Sequence, residues 1–89
     1  MGMVNEQYVE NRIKAAESGK AEALYDLGLL YSIGHGVEQN NVEAHKWFNL
    51  AAMRGMISAQ ADRAEVADCM SHMEISEAQR KAREWMVTH

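Results

Sequence analysis

Slid against itself by 36 residues, this chain of 89 meets its own pattern. Ala15-Ala16 falls on Ala51-Ala52, Gly19 on Gly55, Ala23 on Ala59 and Asp26 on Asp62. Gly28 and Tyr31 fall on the small residues Ala64 and Ala67. A second correspondence, at a spacing of 38, sets Ala44, Trp47 and Phe48 on Ala82, Trp85 and Met86, so two residues are inserted between Ala67 and Ala82. Internal repetition at this length marks a supersecondary unit that buries its apolar face only by stacking on its neighbours. That excludes most other architectures before any motif is considered.

Each copy reads as a pair of helices. Over residues 21–31, Ala23, Leu27, Leu30 and Tyr31 share one face at helical spacing. The stretch "GHGVEQNN" then breaks the pattern, its two glycines supplying the positive φ needed to leave a helix. Asn40 with Glu43 three residues on is a capping pair for the next helix, and Asn41 is the other candidate cap. Ala44, Trp47, Phe48 and Ala51 line that helix, and Gly55 ends it. The next helix runs from near Ile57 to about Cys69. Ser71 and Glu74 form a capping box that opens a last helix through Ile75, Ala78, Ala82, Trp85 and Met86. Ahead of the first full copy, residues 5–18 read as one more helix, with Tyr8, Val9, Ile13 and Ala16 inward. The expected fold is all-α: about five helices in helix-turn-helix repeats forming a short right-handed solenoid. One domain spans 1–89, with a leading half-repeat at 5–18, a full repeat at 21–55, and a degenerate terminal repeat with its cap at 57–86.

Composition fits close helix packing, with many alanines, seven methionines and no proline. A net charge of −4, spread along the chain, gives no electrostatic reason to expect nucleic acid or an anionic membrane surface. Arg80, Lys81 and Arg83 lie within helical pairing distance of Glu77 and Glu84, which reads as an ion-paired face rather than a phosphate site. No apolar run approaches the ~20 residues of a membrane helix, and no secretory signal is visible at the N-terminus. The lone Cys69 can form no intrachain disulfide, so a cytoplasmic location is expected.

The landmarks Leu27-Gly28 with Tyr31, then Gly34-x-Gly36-Val37, Ala44-x-x-Trp47 and Ala51-Ala52-x-x-Gly55 resemble the Sel-1-like repeat, a relative of the tetratricopeptide repeat. The closing "EISEAQRKAREW" resembles the terminal helix of bacterial members. The second copy lacks the Leu-Gly pair, the tyrosine and the Gly-x-Gly turn. The resemblance implies an adaptor that holds protein partners and is no enzyme. Glycine at position 28 costs roughly 1 kcal/mol against alanine in a helix interior; a neighbouring bulky side chain, for which Trp47 is the candidate, explains its presence.

Three readings of the candidate residues follow. In the first, the chain binds a protein or peptide partner in a groove lined by first helices, with Tyr25, Asp26 and Leu29 and their repeat equivalents Ala61, Asp62 and Glu65 as contacts. Tyr25 and Leu29 could equally pack on the preceding helix. The acidic lining favours a basic or amphipathic segment. In the second, His35, His45, Cys69 and His72 converge along one solenoid edge and bind zinc; His35 needs no such role if it is merely a turn residue between two glycines. In the third, the chain stacks on copies of itself, a homodimer forming through an end helix such as the first, with Met3, Tyr8 and Val9. Met53, Met56, Met70 and Met73 are gap-filling core or an adaptable surface. No phosphate loop, catalytic dyad or cofactor fingerprint is present, so neither catalysis nor a cofactor is expected.

Overall fold

The computed structural model describes residues 6–89, and Met3 and Asn5 lie outside the described residues. Five helices follow in chain order: α1 (Glu6–Glu17), α2 (Ala21–Ile33), α3 (Asn41–Met53), α4 (Ile57–Ala67) and α5 (His72–Thr88). The described residues contain no strand. The expected all-α helical-repeat architecture is what forms.

The two copies are repeated down to their backbone hydrogen bonds. After α1, Gly19 (φ 87°) donates to the Ala16 carbonyl at 2.8 Å and Lys20 to that of Ala15 at 3.3 Å. After α3, 36 residues on, Gly55 (φ 93°) donates to Ala52 at 3.0 Å and Met56 to Ala51 at 3.1 Å. This crossed pair closes a helix end whose next residue is left-handed, a conformation that glycine alone enters without cost. The Ala-Ala-x-x-Gly spacing is thus a backbone device. Arg54 ties the two turns together, its Nη1 donating to the Gly19 carbonyl at 2.9 Å.

The helix starts also follow the sequence. Asn40, rather than Asn41, caps α3 by accepting from the Glu43 amide at 3.0 Å. Glu43 does not return the bond: its carboxylate instead meets Trp47 Nε1 (3.1 Å), Lys46 (3.2 Å) and Lys81 of α5 (2.8 Å). At α5 both halves of the Ser71–Glu74 capping box are made, at 3.1 and 2.8 Å.

α2 packs against both α1 and α3, and α3 against α2, α4 and α5. Burial on two sides explains why Leu24 is enclosed along with the expected Ala23, Leu27 and Leu30. The fully enclosed Phe48, Leu24 and Leu27 each contribute about 1.5–3 kcal/mol by leaving water. α5 docks on α3 through Ala78, Ala82 and Trp85, with the Trp47 and Trp85 rings edge to face at 6.0 Å.

Several expectations of burial fail at the ends and edges. Tyr8 and Met86 are 41% and 42% exposed, because α1 and α5 are flanked on one side only. Met53 and Met73 face solvent while Met56 packs on the core, so the methionines do not act as one group. The group that needs the room at Gly28 is Phe48, not Trp47. A Cβ there would lie 2.9 Å from Phe48 Cγ and 2.5 Å from Cε1, whereas Trp47 turns toward Trp85.

Candidate functional site

Two clefts flank the line where α2 and α4 approach one another. The first, about 280 Å³, is walled by Leu29 and Ser32 of α2 and by Asp62, Glu65 and Val66 of α4. Asn41 and Phe48 of α3 form its floor, and Cys69 its far rim. The second, about 390 Å³, lies toward α1 and is lined by Arg12, Glu22, Tyr25, Asp26, Met56 and Ser58. Of the six residues expected to meet a partner, five are therefore divided between two adjoining clefts, and Ala61 lines neither. A third, shallower depression runs along His72, Met73, Ser76, Glu77, Arg80 and Arg83. All six belong to α5, so it is the flank of one helix and not a cleft between elements.

A hydrogen bond separates the clefts. Tyr25 Oη donates to Asp62 Oδ2 at 2.5 Å, joining α2 to α4, while its ring packs on Phe48 at 5.5 Å between centroids. The bond to Asp62, with burial and the same negative charge, pushes the phenol above its ordinary value of 10.0, so Tyr25 keeps its proton and acts as donor. The choice between groove and packing thus resolves differently for the two residues. Tyr25 is half-buried and structurally engaged, whereas Leu29 is 38% exposed at the cleft wall. Asp26 is held by Arg12 of α1 at 3.3 Å. An analogous tie joins α3 to α4, Arg63 donating to Asn49 at 2.6 Å. Both pairs span 14 residues, a spacing the sequence displays but that draws no notice without the helices in place.

The candidate metal ligands do not assemble. His35 is exposed in the turn between Gly34 (φ 73°) and Gly36 (φ 82°). Cys69 and His72 are exposed near the α4–α5 turn. His45 goes the other way: it is 4% exposed, and its Nδ1 is enclosed without a hydrogen-bond partner. Burial, and then the charge of Arg63, push its pKa below 6.5, so the ring is held neutral. Among the described residues, no three His, Cys, Asp or Glu side chains are grouped to hold a metal ion. The convergence that the alternative zinc reading requires is not met, because His45 lies on the buried side of α3. Its place there is what the sequence reading missed, since a histidine amid Ala44, Trp47 and Phe48 gives no sign of facing inward.

With this geometry in hand, comparison with known families is informative. The Sel1 repeat model matches residues 21–56. Over that span the chain is similar to the Sel1 repeat. The matched span contains α2, α3 and both glycine turns that define them. Sel1 repeats generally mediate protein–protein interaction and are not catalytic. No curated protein matches the chain. No helix among the described residues is long and apolar enough to cross a membrane.

Proposed function

We propose that this chain is a non-catalytic adaptor that holds a segment of a partner protein in the α2–α4 cleft, with 1–89 acting as one interaction domain. The observation that supports the reading is the cleft itself: Leu29, Asp62 and Glu65, from equivalent helices of successive copies, border one concavity over the Phe48 ring. The exposed leucine supplies apolar area, and the carboxylates at the edge supply orientation. Leu29 is the residue to test, because its side chain borders the cleft without holding the helices together. Tyr25 is not, because its loss would also break the tie to Asp62.

The test is affinity capture from extract of the source cells, comparing the wild-type chain with Leu29→Asp, both checked for equal helicity and melting. The proposal expects proteins retained by the wild type to be lost with Leu29→Asp. Identical retention by the two would refute use of the cleft.

A further inference from the structure

Resting on the reading of the α2–α4 cleft as a partner site, we propose that the cleft selects an arginine- or lysine-bearing segment whose basic residue adjoins a large apolar side chain. Its two charged lining residues, Asp62 and Glu65, are both acidic, and no base lines it. They stand one turn apart on α4, where residues three apart share a face, so a single guanidinium can reach both carboxylates. The neighbouring bases are committed elsewhere: Arg63 to Asn49, Arg12 to Asp26 and Arg54 to the Gly19 carbonyl. Neither Asp62 nor Glu65 is ion-paired among the described residues.

The remaining lining divides the occupant's chemistry in two. Leu29, 38% exposed, and the half-buried Val66 offer an apolar contact. The polar groups Ser32 and Asn41 are already engaged, Ser32 Oγ donating to the Leu29 carbonyl at 2.9 Å and Asn41 Oδ1 accepting from Gln39 at 2.7 Å. Two carboxylates repel phosphate. Charge and apolar area together fit a protein segment and not a nucleic acid. The Tyr25 bond fixes the Asp62 carboxylate before any ligand arrives, which lowers the ordering cost of binding.

The experiment is selection from a phage-displayed random dodecapeptide library on immobilised wild-type chain and on Glu65→Arg, followed by fluorescence anisotropy of the enriched peptides with both chains and with Leu29→Asp. Glu65 is exposed and unpaired, so its reversal leaves the fold intact, to be verified by circular dichroism. The expected result is a wild-type consensus pairing Arg or Lys with Leu, Ile, Phe or Met. Glu65→Arg should bind those peptides about tenfold more weakly, the loss of attraction and the added repulsion together amounting to about 1.4 kcal/mol, and should itself select acidic sequences. Enriched peptides that need Leu29 but carry no basic consensus would overturn the charge assignment and leave the adaptor reading standing. An absence of Leu29-dependent peptides would overturn both. A concentration-dependent dimer in sedimentation velocity, abolished by Glu65→Arg, would overturn it too by naming a second copy as the occupant.

Discussion

Gly28→Ala sets two measurable effects against each other. Alanine in a helix interior is favoured over glycine by about 1 kcal/mol. At Gly28 the added carbon would stand 2.5 Å from Phe48 Cε1 and 2.9 Å from Cγ, closer than carbon atoms approach in real proteins. Phe48 has nowhere to retreat, being 1% exposed and backed by the Tyr25 ring. Overpacking a closed core costs about 1–3 kcal/mol, and a clash with a trapped ring belongs to the upper part of that range. The net expectation is destabilisation by about 1–2 kcal/mol, which for a domain of this size lowers Tm by roughly 5–15 °C. Urea and thermal unfolding followed by far-ultraviolet circular dichroism give the number. A double-mutant cycle assigns the cause: in a Phe48→Leu background the substitution should become neutral or stabilising, whereas in Trp47→Phe it should keep its full cost. Gly28→Ala that stabilises the chain, or that couples to Trp47 instead, would refute the packing argument.

Acid should weaken the fold in two stages. His45, held neutral by burial and by Arg63, binds a proton more readily unfolded. Stability is therefore expected to fall as pH drops below 6.5, by at most about 1.4 kcal/mol per pH unit for one group. A His45→Leu variant whose urea midpoint falls just as steeply between pH 6.5 and 5.5 would exclude this histidine as the source. Burial raises the Glu43 pKa, but the hydrogen bond from Lys81 and the charge of Lys46 outweigh it and leave the value below 4.5. The contribution of Glu43 is complete above that pH and is lost as pH falls below it; Glu43→Gln should flatten this lower limb. Ser71→Ala removes the α5 cap and should cost about 1 kcal/mol in urea unfolding, and an unchanged midpoint would mean that packing of Ala78, Ala82 and Trp85 holds α5 without the cap.

What was legible in the sequence is what the backbone must do twice. A left-handed residue after Ala-Ala-x-x is forced by geometry, so Gly19 and Gly55 announce both turns, and Ser-x-x-Glu announces the start of α5. What was not legible is rotation about helix axes. Trp47 and Phe48 are neighbours about 100° apart around α3, and an apolar pattern accepts either as the residue opposite Gly28. The same ambiguity hid His45, whose burial beside Arg63 takes away one of the four ligands the zinc reading required. At Tyr8 and Met86 periodicity marked the stripe but could not tell that both side chains stay about two-fifths exposed.

The cleft's two walls are held by unlike forces, and this bears on how it would meet the proposed partner. α2 buries Ala23, Leu24, Leu27, Gly28 and Leu30, so its position is set by packing from both sides. α4 buries Ala59 alone, and its remaining ties to the body include two side-chain hydrogen bonds, Tyr25 to Asp62 and Arg63 to Asn49. Each such bond contributes on the order of 1 kcal/mol, less than one enclosed leucine. Elements with little buried apolar area open at lower free energy than the rest of a domain. The wall that carries Asp62 and Glu65 is therefore the yielding one, and the wall that carries Leu29 is the fixed one. On the proposed reading, a segment entering between them would meet a preformed apolar edge at Leu29 and an acidic edge that Tyr25 steadies.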